Sequence, residues 1–199
     1  TGVTAGNSAT LTWTISNGSC TASTDNVVLT NNTNPAVSMS GTETVCSGSS
    51  STFTGTASSG SSPYSYAWTG GGAASTKSVS TAGTYTITVT DDNTCSTTGS
   101  RTLSLQAQPN AGTISGTNSV DINSTTDLDS DGDAGGTWTT SDANTATVNS
   151  STGVVTGVAS GSVTITYTVT ATSPCTVDAT DTYIVSVSSP TITTTGTLN

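Results

Sequence analysis

The feature that most constrains this chain is one eight-residue pattern written three times: TLTWTISN from Thr10, TYTITVTD from Thr84 and TITYTVTA from Thr164. In each, threonines alternate with an apolar triplet: Leu11, Trp13 and Ile15, then Tyr85, Ile87 and Val89, then Ile165, Tyr167 and Val169. Successive side chains of an extended strand point to opposite faces, so a period of two puts the triplet on one wall and the hydroxyls on the other. Threonine suits the wet wall, being β-branched and stiff at χ1 with a hydroxyl for water. Ser and Thr make up 83 of the 199 residues and hydrophobic residues only 31%. Without the alternation, that composition would place the chain near the boundary where cores fail.

Each comb is followed by a cysteine (Cys20, Cys95, Cys175) and then by a second strand-like run, DNVVLTN, RTLSLQA or DTYIVSV. Comb, turn, cysteine and strand make a hairpin. A proline comes next each time, at Pro35, Pro109 and Pro190, with glycine six or seven residues on in PAVSMSG, PNAGTISG and PTITTTG. A repeat of this length means tandem domains. The register divides the chain into a hairpin closing one unit (1–33), two complete units (34–108 and 109–189) and the opening strand of another (190–199).

Strands are expected near 36–45, 51–56, 64–69, 76–80, 83–90 and 100–106 in the first complete unit. In the second they are expected near 112–121, 123–129, 136–140, 145–149, 153–158, 162–170 and 181–187. Short strands, Gly/Asn/Ser/Pro turns and no helical period specify an all-β chain of tandem immunoglobulin-like β-sandwiches arranged end to end. A lone hairpin cannot bury its apolar face in water. Residues 1–33 therefore read either as truncated from a longer array or as borrowing a sheet from a neighbouring molecule.

Trp68 in PYSYAWTGGG and Trp138 in GGTWTTSD each lie in an alternating run and are expected in the core, the competing reading being an exposed platform for stacking sugars. Trp13 takes the place of Ile87 and Tyr167 in the comb and is expected to be a core residue of its own unit.

The chain has no histidine, one lysine, one arginine and a formal net charge of -10, which excludes nucleic acid as a partner. No run approaches the length of a membrane span, so no membrane insertion is expected. Histidine-dependent acid–base and serine hydrolase chemistry is missing, and a Ser-Lys dyad would rest on Lys77 alone. The neighbouring Asp91 and Asp92 sit on a hairpin turn, where they are expected to point apart into bulk water. The sharpest local constellation is DLDSDGDAGG, which spaces Asp127, Asp129, Asp131 and Asp133 like the first half of a calcium loop. A strand register that turns Leu128 inward would instead leave these carboxylates as a solvated acidic rim. Calcium is the one cofactor this spacing admits.

Cys46 and Cys95 are the only two cysteines of one complete unit and are expected to form a disulfide, provided the strand ending at Cys46 brings it within about 7 Å of the turn bearing Cys95. Asp121 stands where Cys46 would recur, so Cys175 reads as a half-buried turn residue or as an intermolecular bridge, and Cys20 has no partner in its own segment. The cysteines indicate an oxidising compartment.

Residues 35–108, through TVCSGSS, PYSYAWTGGG and AGTYTITVTDDNTC, resemble the PKD-like repeats of bacterial surface proteins, gliding-motility adhesins among them. Residues 136–170, with Trp138, the Ala-Thr-Val run, GVVTGV and the closing GSVTI, resemble the bacterial immunoglobulin-like group 2 pattern. These resemblances imply non-catalytic spacer or adhesive modules of secreted or cell-surface bacterial proteins, and no catalytic residue. The expected partners are other copies of the chain or neighbouring repeats, whose strand edges almost no lysine protects, and surface glycans or host or substratum surfaces. The competing class is a carbohydrate-binding module of a secreted glycan-active enzyme, which would need exposed aromatics such as Tyr64, Tyr66, Tyr183, Trp68 or Trp138.

Overall fold

The computed structural model describes residues 2–190, which form seventeen β-strands and no helix. The chain divides into two compact units, Thr1–Leu105 and Gln106–Asn199. The first opens with a hairpin of β1 (Asn7–Ile15) and β2 (Ser23–Asn31), followed by β3 (Ala36–Ser40), β4 (Thr44–Cys46), β5 (Ser51–Ser58), β6 (Ser65–Trp68), β7 (Thr76–Val79), β8 (Gly83–Thr90) and β9 (Ser96–Gln106). Strands β3-β5-β7 make one sheet and β4-β9-β8-β6 the other, while β1-β2 is a two-stranded sheet by itself.

In the second unit the strands are β10 (Ile114–Gly116), β11 (Ser119–Asp121), β12 (Thr125–Ser130), β13 (Thr137–Thr140), β14 (Ala146–Val148), β15 (Val154–Gly157), β16 (Gly161–Val169) and β17 (Ala179–Ser188). They form the sheets β10-β12-β15-β14 and β11-β17-β16-β13. Each unit thus contains an immunoglobulin-like sandwich of two sheets over one core, and the first carries the β1–β2 hairpin besides.

The combs place the cores. Ile87 and Val89 on β8, and Ile165 on β16, are fully buried, while the intervening threonines line the outer walls. Thr84 and Thr102, opposite each other on β8 and β9, join hydroxyls at 2.9 Å. Phe53, Leu103, Val79 and Trp68 complete the first core; Leu128, Val155, Val185 and Trp138 are among those that complete the second. Trp68 donates its indole N–H to Ala74 O at 2.9 Å, and Trp138 stacks on Tyr167 with centroids 4.7 Å apart.

The expected single strands 36–45 and 112–121 are each broken in two, and the halves belong to different sheets. Glycine makes the break: Gly41 has φ +129° and Gly116 φ +138°. A Cβ at Gly41 would lie 2.5 Å from Thr52 O, and one at Gly116 2.5 Å from Asp127 O. These positions combine left-handed backbone with direct strand-on-backbone approach, which no other residue tolerates. The chain thereby leaves β5 or β12 and crosses to β9 or β17, pairing with β17 in parallel as Ser119 opposite Ser186.

That crossing overturns the Cys46–Cys95 disulfide. Ser104 donates its N–H to Glu43 O at 2.7 Å, so β4 lies beside the C-terminal end of β9. Cys95 immediately precedes the other end of β9, about 30 Å away at roughly 3.3 Å per residue, far beyond bridging reach. Cys95 and Cys20 are free thiols, whereas Cys46 and Cys175 are disulfide-bonded.

Candidate functional site

Most of the ionisable groups singled out by the sequence prove to be clips on the backbone. Asp91 is only 5% exposed, contrary to the expectation that it faces water. Its Oδ1 accepts the Cys95 N–H at 2.8 Å and its Oδ2 the Ser61 N–H at 3.0 Å, closing the β8–β9 turn onto the loop between β5 and β6. Asp92 beside it is exposed. An Asp accepting backbone N–H bonds within its own turn is a familiar turn signal, and the four-residue step from Asp91 to Cys95 carried it.

The four alternating aspartates do not converge, and among the described residues no group of three or more metal-ligating side chains gathers. Asp127 and Asp129 lie on β12 with Leu128 buried between them, as strand alternation requires. Asp131 accepts the Thr113 N–H at 2.6 Å and Asp133 the Asn110 N–H at 2.9 Å. Two of the carboxylates thus belong to a strand, and two accept the N–H groups of the segment leading into β10. Lys77 Nζ is 2.6 Å from Gly71 O, to which it donates.

Arg101 reaches inward from β9. Its guanidinium lies 6.0 Å from the Phe53 ring centroid, and Nη1 donates to Met39 O at 3.1 Å. Its Nε is 3.5 Å from Glu43 Oε1, an ion pair without hydrogen-bond geometry. Asp142, in the loop after β13, accepts from Thr145 Oγ1 at 2.7 Å and from Asn144 N at 3.0 Å. The Thr145 hydroxyl first, then the Asn144 N–H, hold its carboxyl below 3.8.

The aromatics offered for sugar stacking are likewise engaged. Trp68 and Trp138 are each 5% exposed. Tyr64 donates to Ser59 O and Tyr183 to Gly116 O, and Tyr66 packs on the first core.

One surface remains unspent. In the β1–β2 hairpin, Ala9 pairs with Leu29, Leu11 with Val27, Trp13 with Asp25 and Ile15 with Ser23. Residues directly opposite each other share a face, so Ala9, Leu11, Trp13, Ile15, Val27 and Leu29 line one wall. Trp13 is 73% exposed, and Leu11, Ile15, Val27 and Leu29 are exposed with it. This corrects the expectation that Trp13 is a core residue. The comb supplied an inward wall and no sheet covers it among the described residues. A shallow groove runs over Leu11, Trp13, Asp25 and Val27.

Residues 104–179 match the family model of the bacterial Ig-like domain (group 2). The group 2 match covers the sandwich from the end of β9 to the start of β17. No curated protein matches the chain.

Among solved structures, the eight N-terminal Ig domains of Down syndrome cell adhesion molecule are similar at TM-score 0.54 and 13% identity, over 91% of this chain and 28% of that one. The three N-terminal domains of the highly immunogenic outer capsid protein of bacteriophage RB49 align at TM-score 0.45 and 11% identity, over 86% and 75%. The C-terminal 282-residue fragment of intimin, in complex with the intimin-binding domain of its translocated receptor, aligns at TM-score 0.42 and 15% identity, over 76% and 64%. At 13% identity the first of these likenesses is one of fold alone. The chain spans little more than a quarter of the first of these structures.

Proposed function

We propose that the chain is a non-catalytic structural and adhesive segment of a secreted or cell-surface bacterial protein, a stalk whose folded units hold a further element away from the surface. The observation that carries this is the use of the carboxylates. Asp91, Asp131, Asp133 and Asp181 accept backbone N–H groups, and acid–base chemistry near neutral pH needs groups free to exchange protons with a substrate. The group 2 match of residues 104–179, the PKD-like resemblance of residues 35–108 and the disulfide-bonded Cys46 and Cys175 support an extracellular setting.

The test is display. The chain is placed between a surface anchor and an epitope on a bacterial cell and compared with a Gly/Ser linker of equal length, whose mean span is only about 80 Å. Capture of the epitope by antibody-coated beads should fall several-fold with the linker. Equal capture would mean that folded units contribute nothing and would defeat the reading.

The carbohydrate-binding alternative rests on Trp13, the one tryptophan exposed. Saturable quenching of its emission by a soluble glycan would favour that class.

A further inference from the structure

The three hairpins keep one register. Trp13 faces Asp25, Ile87 faces Gly99 and Tyr167 faces Asp181. One step along, Leu11 faces Val27, Tyr85 faces Arg101 and Ile165 faces Tyr183. In both sandwiches these two positions on the closing strand hold the strand that opens the opposite sheet. In the first unit, Gly99 leaves room for β3: a Cβ there would lie 3.0 Å from Val37 and 3.3 Å from Met39. Arg101 beside it donates to Met39 O. In the second unit, Asp181 Oδ2 accepts the Ile114 N–H at 2.7 Å and Tyr183 donates to Gly116 O at 2.8 Å, clasping both ends of β10.

On β1–β2 the same two positions are Asp25 and Val27, both exposed, beside the exposed Trp13 and Leu11. The hairpin thus carries the grip for an opening strand, including a carboxylate where Asp181 binds a backbone N–H. Both opening strands come from a proline-to-glycine segment, PAVSMSG and PNAGTISG, and the chain carries a third, PTITTTG, at 190–196. That segment matches PAVSMSG in length, aligning Ile192 with Val37 and Gly196 with Gly41.

We infer that the exposed face of β1–β2 is a docking site for residues 190–199 of a second copy of this chain, with the 191–195 backbone laid across Trp13, Leu11 and Val27 and one of its N–H groups bonded to Asp25. Charge selects this occupant. Residues 190–199 contain no ionisable side chain, whereas two hairpins stacked face to face would bring two Asp25 carboxylates into one dry interface, a costly arrangement. The contact is heterologous, so it propagates head to tail. A single strand on a hairpin buries less than the ~1,200 Å² of a tight interface, so affinity in the micromolar to millimolar range is expected. The inference goes beyond spacing and stands whether or not the units act as a stalk.

Sedimentation velocity of the full chain, with acrylamide quenching of tryptophan emission, tests it. Trp68 and Trp138 are buried, so the quenchable emission is that of Trp13. As concentration rises from about 1 µM to about 1 mM, the sedimentation coefficient should climb and quenching should fall together. The free peptide PTITTTGTLN should dissolve the oligomers while keeping Trp13 protected. Ile192→Asp should abolish association, and Asp25→Asn should weaken it roughly tenfold or more, as expected for loss of a hydrogen bond to a charged acceptor. A chain that stays monomeric with Trp13 equally quenchable at every peptide concentration overturns the inference. So does association that Ile192→Asp leaves intact, which would assign assembly to another surface.

Discussion

Replacing Asp91 isolates the contribution of one buried carboxylate. Asp91→Ala removes two charge-assisted hydrogen bonds, from Cys95 N at 2.8 Å and from Ser61 N at 3.0 Å. Bonds to charged groups contribute about 1.5–3 kcal/mol each, and water entering the vacated space restores part of the loss. The expected destabilisation of the first unit is about 3 kcal/mol. At about 4–8 °C per kcal/mol for a domain of this size, its melting temperature should drop by roughly 12–24 °C. Asp91→Asn keeps the volume but offers one acceptor and sets an amide N–H against the second donor, so about 2 kcal/mol should be lost. Asp92→Asn is the control. It is exposed, and its backbone N–H, not its carboxylate, binds Ser61 O at 2.9 Å, so it should change stability by less than about 0.5 kcal/mol. Urea unfolding gives the free energies, and hydrogen exchange in residues 59–62 and 91–97 locates the loss. If Asp91→Ala stays within about 0.5 kcal/mol of the parent, or Asp92→Asn proves equally harmful, the clasp does not hold the unit together.

Maleimide should label Cys20 and Cys95 in the native protein and reach Cys46 and Cys175 only after reduction, as peptide mass mapping would show. Gly116→Ala should destabilise the second unit by at least about 2 kcal/mol in urea, because it forces a Cβ against Asp127 O and leaves an alanine at φ +138°. Asp142 is more acidic folded than unfolded, so the stability it confers is present above its ordinary 3.8 and is lost as pH falls through the lower folded value. Asp142→Asn should therefore flatten the acid limb of the second unit's stability curve below 3.8, and the carboxyl carbon shift of Asp142 should titrate below that value.

What the sequence made legible was whatever depends on local alternation. The combs at 84–90 and 164–169 fixed which wall is inner, because a one-residue slip would turn every threonine into the core. The second strands and the turns between them followed from the same register. What stayed hidden depends on how two sheets meet. Gly41 and Gly116 lie inside the expected strands 36–45 and 112–121, and only the backbone of β5 or β12 lying against them shows that the strand must break there. Cys46 was mispaired because Cys95 is the only other cysteine of the same sandwich, whereas the chain carries Cys46 to the end of β9 remote from Cys95. Asp91 was misread because its partner, Ser61, is thirty residues distant. Asp131 and Asp133 have the spacing of a calcium loop, but their acceptors' work is set by Asn110 and Thr113, which no spacing rule connects to them. Trp13 shows the converse limit: a pattern can specify an inward face without specifying what will cover it.

Trypsin has two side chains to recognise in this chain, Lys77 and Arg101. Both sit in paired strands, Lys77 opposite Phe53 on β7 and Arg101 opposite Tyr85 on β9. A protease must draw an extended stretch of substrate free of its ladder before cutting, so digestion of the folded protein waits on opening of the first sandwich. Neither site lies in the second sandwich. A protease that cuts after basic residues would therefore sever this segment only as fast as its first sandwich opens.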